Sequence, residues 1–316
     1  MKVSKRLLKN FAAAAIIALL FFLTDLRELM RAFSHLTFSA VFLLLLISVL
    51  LIYTSALKWS LFLAALSRKV PVARLFCLYL VGYFVNLIVP SYVGGDAVRS
   101  FYVGRQVGQH EAFTATILER YTGLVAMLFL ALVCMWVSTL VTWQIKVALV
   151  VVTTALIVVT LLALSKSTLA YMRRFKPLMD VVHHLERIQE GFHLVQRDWV
   201  LLLKALLLSF IYHAFTVINT AVAGWAVGWQ NPALEELFVV LPIVLLIGSL
   251  PLSPSGLGIQ EGAFFYFLQG IGASPAEALG VGLILRAKSY LVALLGGLFW
   301  LAIPKEERQR KAPSSY

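Results

Sequence analysis

The fold of this chain turns on "PSYVGGDAVRSFYVGRQVGQHEAFTATILER", residues 90–120. The stretch opens with Pro-Ser and a glycine pair, passes through Asp96 into a semi-polar segment, and closes on Glu119–Arg120. A second stretch repeats that order of parts: "PSGLGIQEGAFFYFLQGIGASPAEALGVGLILR", residues 254–286. From Phe101 onward the two align without gaps at an offset of 166. Phe101/Phe267, Gly104/Gly270, Glu111/Glu277, Ala112/Ala278 and Arg120/Arg286 are identical. Upstream, "PSYVGGD" faces "PSGLGIQE", one residue longer. Each stretch follows a short apolar run, 72–89 and 235–251, that ends where proline stops it.

The solvent of the fold follows from what surrounds these stretches. Hydrophobic residues make up 61% of the 316 and charged residues only 13%. Soluble domains sit near ~45–50% apolar with glycine included and ~25% charged, so lipid must accept the excess. The net charge of +12 resides in segments between apolar runs. That placement reads as membrane topology, not nucleic-acid binding, since no basic patch interleaved with aromatics sits on a soluble module. Cys77 and Cys134 both fall inside apolar runs and read as small hydrophobes, with no metal or disulfide role. No cofactor is expected. The basic start followed by apolar 11–23 continues as "LTDLRELMR" without a small-x-small site, so it reads as an uncleaved first helix.

The long apolar runs are 7–24, 37–66, 72–89, 112–138, 145–164, 199–228, 235–251 and 276–302. If all eight crossed, segment 165–198, with six Lys/Arg, would lie opposite the basic termini. The positive-inside rule forbids that. The conflict disappears if 72–108 enters from the inside, turns at Pro90 and returns, while 235–271 does the same from the outside. The expected architecture is therefore an all-α integral membrane protein. It has about six full crossings and two re-entrant hairpins related as an inverted repeat. The chain is one transmembrane domain, 1–316. Repeat 1 covers about 70–164 and repeat 2 about 199–303, joined by a cytoplasmic amphipathic linker at 165–198 that lies on anionic headgroups. Basic segment 58–74 and both termini fall inside, at a cytoplasmic-type inner membrane.

Charges inside a bilayer cost ~2.5–3.5 kcal/mol each on insertion scales, so they need partners and mark function. Arg120 and Arg286 lie roughly 12 and 15 Å into their helices at ~1.5 Å per residue. Asp96, Glu261 and Glu119 are the expected counter-charges for Arg120, Arg286 and Lys288. Exchanging charges within a pair is expected to restore folding but not transport. Gly94 and Gly95 precede one short helix (96–106), and Gly256 and Gly258 the other (259–269). Both helix N-termini then point at the membrane centre, where free N–H groups attract an anion. The candidate headgroup site is Pro90, Gly94, Gly95, Asp96, Arg99, Glu119, Arg120, Pro254, Gly256, Gly258, Glu261, Arg286 and Lys288. Tyr79, Tyr83 and Asn86 share one face of the entering half-helix and are candidate path-lining residues. His213 and Asn219 are expected to hydrogen-bond between helices.

At "VPSYVGGDAVRSFYVGRQVG" (89–108), "ATILERYTGL" (115–124) and "LPLSPSGLGIQEGAFFYFLQGIGASPAEALGVGLILRAKSY" (250–290) the chain resembles a known family. This is the flippase-like transmembrane region of lysyl-phosphatidylglycerol synthases, with its stand-alone relatives. The resemblance covers nearly the whole chain. In those synthases the region moves modified lipid between leaflets, and a separate soluble domain attaches the amino acid. After Arg286 this sequence holds only the rest of the apolar run 276–302 and a short basic tail. The resemblance thus implies lipid translocation without aminoacylation, and the relatives' substrates include phospholipid, polyprenyl-linked and hopanoid-type lipids.

Three readings stand side by side. The first is a non-enzymatic transporter that holds an anionic headgroup at the midplane, with no G-x-x-x-x-G-K-[ST] motif to bind nucleotide. The second is a lipid-phosphate phosphatase or transferase, for which Ser91, Ser253 and Ser255 have no base in their motifs. The third is a scaffold for a lipid-modifying synthase or glycosyltransferase. Membrane lipids are the expected partners in all three.

Overall fold

The computed structural model describes residues 13–88, 94–174, 179–250 and 253–302. Among them the chain is all α-helical with no strand. Helix α1 (Ala13–Phe22) and the short α2 (Leu26–Ser34) lead into α3 (Phe38–Leu66), α4 (Val72–Ile88), α5 (Gly94–Val107), α6 (Gln109–Cys134) and α7 (Trp143–Leu164). Two helices, α8 (Lys166–Met172) and α9 (Met179–Gln196), connect to α10 (Trp199–Ala226). Then come α11 (Leu234–Ser249), a single 3-10 turn (Pro254–Gly256), α12 (Ile259–Gln269) and α13 (Pro275–Ala302).

Helices α3, α6, α7, α10 and α13 are each long and apolar enough to cross a membrane. The shortest has 22 residues, roughly 33 Å at ~1.5 Å per residue against a hydrocarbon core of ~30 Å. Of the expected sixth crossing, 7–24, the described part is α1. Polar caps set the starts. Thr37 Oγ1 accepts from the Ala40 N–H at 3.2 Å, and Asp198 Oδ1 accepts from the Leu201 N–H at 2.9 Å, each filling a donor that the helix leaves open. Lipid shows most clearly at α7. Leu149 is its one buried residue, while Val151, Val159 and Leu161 are over half exposed. A helix apolar all round with so little packed surface is stable only in hydrocarbon.

Contacts define two ends of the bundle. At one end Ser67 Oγ donates to the Val107 carbonyl at 2.8 Å, and Gly191 of α9 abuts Leu66 and Thr114. At the other, Gly228 abuts His35, and the Glu236 carboxylate accepts from the N–H groups of Thr139 (2.8 Å) and Leu140 (3.0 Å). The first end carries Arg68, Lys69, Arg74 and Arg197; the second carries Arg31 and Lys146. The segment 165–198 is the expected position of the amphipathic linker. It forms two helices, and α9 packs against α3, α6 and α10 with Val182 and Val195 buried.

Two pairs of helices pack closely, α4 on α5 and α11 on α12. In α4–α5, a Cβ on Gly82 would stand 3.1 Å from the Gly95 carbonyl oxygen, so the backbones nearly touch. In the pair α11–α12, Gly256 has φ +68°, and a Cβ there would lie 2.5 Å from the Gly248 carbonyl oxygen; only glycine fits. The pairs dock crosswise, α4 on α13 and α11 on α6, while α3 packs on α10. Each pair belongs to its own apolar cluster. Trp59, Phe62, Leu75, Tyr102 and Ala115 gather around α4–α5. Leu237, Val240, Val244, Phe264 and Leu268 gather around α11–α12.

Candidate functional site

The N-terminus of α5 anchors a cluster of five charges. Asp96 lies in the first turn of α5. Arg120 of α6 forks onto it, Nε to Oδ2 at 2.9 Å and Nη2 to Oδ1 at 2.7 Å. The Arg99 Nε also donates to Oδ1 at 2.9 Å, while its Nη2 donates to Glu119 Oε2 at 2.7 Å. Arg99 is 1% exposed. Its guanidinium carbon lies 4.4 Å from the Trp59 ring centroid and 4.1 Å from that of Tyr79. Cation–π attraction at desolvated sites reaches ~2 kcal/mol. Lys58 of α3 completes the cluster, 3.6 Å from Glu119 Oε1 and donating to Ser209 Oγ at 3.0 Å. Three cations thus face two carboxylates. Arg120 is the member that opens outward, with half of its side chain exposed.

The second constellation surrounds the α11–α12 tip. Arg286 Nη1 donates to the Ser255 carbonyl at 2.9 Å, and Nη2 to the Gly256 carbonyl at 3.2 Å and Gln260 Oε1 at 3.3 Å. Its Nε bonds Glu261 Oε1. The other oxygen, Oε2, accepts from the Gly258 N–H at 2.7 Å, where Gly258 has φ +79°. The Ser255 Oγ reaches across to the Asn86 carbonyl at 2.5 Å, so this tip touches the end of α4. Beside the contact lies a cavity of about 230 Å³, lined among others by Tyr83, Asn86, Asn219, Gln260, Arg286 and Lys288.

The expected pairings hold for Asp96–Arg120 and Glu261–Arg286. Glu119 also lies 4.0 Å from the Arg120 Nε, but it does not meet Lys288. Glu119 meets Arg99 and Lys58, and Lys288 Nζ donates instead to Asn219 Oδ1 at 3.0 Å. At each helix N-terminus at least one N–H expected to be free is taken. The Gly95 N–H donates to Asn86 Oδ1 at 2.7 Å, and Glu261 fills the Gly258 N–H. Tyr83 and Asn86 line the cavity; Tyr79, 6% exposed, packs on Arg99 instead. Pro90 lies outside the described residues, and Gly94 and Pro254 open α5 and the 3-10 turn. His213 bonds the Gly123 carbonyl at 2.9 Å, an interhelical bond as expected. Lys58 is a correction: assigned by charge to a loop at 58–74, it sits within α3, 4% exposed. The signal was present, since Lys58 interrupts the apolar run 37–66 eight residues before its end.

A UPF0104 membrane protein of Methanothermobacter thermautotrophicus is 24% identical, over 92% of this chain and 91% of its own length. Another UPF0104 membrane protein, from Methanocaldococcus jannaschii, is 23% identical over 86% of this chain and 85% of its own. Residues 10–297 match the family described as the lysylphosphatidylglycerol synthase TM region. This multi-pass membrane protein therefore belongs to the lysylphosphatidylglycerol synthase transmembrane-region family.

Proposed function

We propose that this protein is a lipid transporter that moves an anionic-headgroup lipid between leaflets, with α4–α5 and α11–α12 as re-entrant hairpins of an inverted repeat. The observation that carries the reading is the cationic cavity where the tip of one helix pair meets the end of the other. At about 230 Å³ it falls below the ~300–1,000 Å³ of pockets that swallow whole small molecules. It admits a headgroup while the tails stay in lipid. Other features support the reading. The two pairs dock crosswise, each in its own apolar cluster. Asp96–Arg120 and Glu261–Arg286 are separated by 24 and 25 residues. Repeats arranged this way alternate access by rocking one half on the other. The family's lipid-synthase context fits a lipid substrate, as would a partner synthase or glycosyltransferase. Basic residues at the end that holds α8 and α9 favour that end, and both termini, as cytoplasmic at an inner membrane. A non-enzymatic role suits Ser255, whose hydroxyl hydrogen goes to a backbone carbonyl and not to a general base.

The test is leaflet exchange in liposomes carrying the purified protein and fluorescent phosphatidylglycerol, read by dithionite quenching. Exchange faster than in empty liposomes, lost in Arg120→Ala, is the expected result. That variant should still fold, because Asp96 keeps Arg99 as its partner. Exchange no faster than in empty liposomes, with folded protein and with either anionic or polyprenyl phosphate lipids, overturns the reading.

A further inference from the structure

The two cations of the cavity have different electrostatic situations. Arg286 donates through Nε, Nη1 and Nη2 to Glu261, Gln260 and the carbonyls of Ser255 and Gly256. Its charge is matched by Glu261, whose two oxygens are both occupied. Arg286 is a clamp that ties α13 to the α11–α12 tip. Lys288 is not matched. It sits 13 residues from the start of α13 and 14 from its end, hence at mid-span. Its ammonium donates to one neutral acceptor, Asn219 Oδ1, and pairs with no carboxylate among the described residues. Asn219 is itself 5% exposed and lines the same cavity. The Asn86 amide, also on the lining, has its oxygen taken by the Gly95 N–H.

We infer that Lys288, held by Asn219, is the anion seat of this cavity, and that its ligand is a lipid with a monoanionic phosphodiester headgroup. This rests on the transporter reading only for why the lipid is there. The class follows from charge and donors. One unmatched ammonium in a low-dielectric site is neutralised by a single negative charge. A phosphate monoester, as at the end of a polyprenyl chain, would leave excess negative charge buried. A zwitterionic headgroup would bring a second cation to a wall whose lining carboxylate, Glu261, is already spent. The Lys288 ammonium, with hydrogens beyond the one given to Asn219, suits a free oxygen of a phosphodiester. Leu87 and Tyr290, on the rim and over a third exposed, offer apolar surface to the glycerol and first methylenes.

The test measures binding separately from transport. Full-length protein in detergent is titrated with short-chain phosphatidylglycerol, phosphatidic acid and phosphatidylcholine, with binding read by native mass spectrometry. Phosphatidylglycerol should bind at least 10-fold more tightly than the other two. Lys288→Met, which keeps the volume and removes the charge, should lose that preference, and Lys288→Arg should keep it. Lys288→Met should melt no lower than the parent, so lost binding is not lost fold. Equal phosphatidylglycerol binding by Lys288→Met, tighter binding of phosphatidic acid or phosphatidylcholine, or no binding by the parent overturns the inference. Lys288-dependent binding without leaflet exchange would sink the transporter reading alone. Exchange that Lys288→Met leaves unchanged would sink this inference alone.

Discussion

Ser255 Oγ donates to the backbone carbonyl of Asn86 at 2.5 Å, joining the two helix-pair ends across 169 positions of sequence. Ser255 pays for this contact in backbone conformation, since its φ is +51°. An L-residue held left-handed costs roughly 1–2 kcal/mol, and a net hydrogen bond returns about 1 kcal/mol. The two terms nearly cancel, so they can be separated by substitution. Ser255→Ala loses the bond and keeps the strain. Ser255→Gly loses both. Thermal unfolding in detergent should therefore rank Ser255→Gly about 1 kcal/mol above Ser255→Ala. The reverse order would mean that position 255 is not held in the left-handed region.

The five-charge cluster predicts opposite consequences for removing an anion and removing a cation. Glu119→Gln leaves Lys58 and Arg99, both under 5% exposed, without that carboxylate. Breaking a buried pair from one side costs about 3–5 kcal/mol. Lys58→Met instead brings the cluster to formal neutrality, with three charges of one sign reduced to two. It should change stability by less than about 1 kcal/mol or raise it. The check is chemical or thermal unfolding of both variants side by side; equal losses would show that the net charge of the cluster is irrelevant.

Charge exchange should rescue neither arginine, which revises the expectation drawn from the sequence. Placing Arg at 96 and Asp at 120 sets the new cation beside Arg99, which already donates to position 96. Exchanging Glu261 and Arg286 turns a carboxylate toward the carbonyls of Ser255 and Gly256, where only donors fit. Both double variants should lose the monodisperse peak in size-exclusion chromatography. A folded Asp96→Arg/Arg120→Asp protein would count against the Arg99 contact.

Close packing of α13 on α4 depends on adjacent glycines that meet different obstacles. A Cβ on Gly296 would collide with the Leu80 carbonyl, which is fixed in helix α4. A Cβ on Gly297 would stand 2.9 Å from a ring carbon of Phe84, and that ring can turn. Overpacking costs about 1–3 kcal/mol when the backbone must shift. Gly296→Ala should fall at or above the top of that range and Gly297→Ala near its bottom, as read by melting temperature.

Much of the site was legible because a bilayer makes charge conspicuous. Asp96, Arg120, Glu261 and Arg286 stand out in apolar surroundings, and two of the expected pairs form as read. Lys58 was misplaced because a positive-inside count treats a cation near a run's end as a loop residue, although α3 continues eight residues past it. Arg99 was seen as a candidate, but nothing local announces that Trp59 and Tyr79 will close over it. The Glu236 carboxylate that gathers Ser138, Thr139 and Leu140 was not foreseen, because its partners lie about 97 residues away.

The sequence by itself determined the solvent, the helical class and where α4 and α11 stop. Those properties depend on composition and on prolines and glycines, which act locally. Only the tertiary structure decided which charge meets which, that Lys288 finds Asn219 and not Glu119, and that a cavity opens beside the Ser255–Asn86 contact. The reason is physical. Partners across helices are set by each helix's rotation and depth. A helix such as α7, apolar on every face, carries no amphipathic stripe from which its rotation could be read.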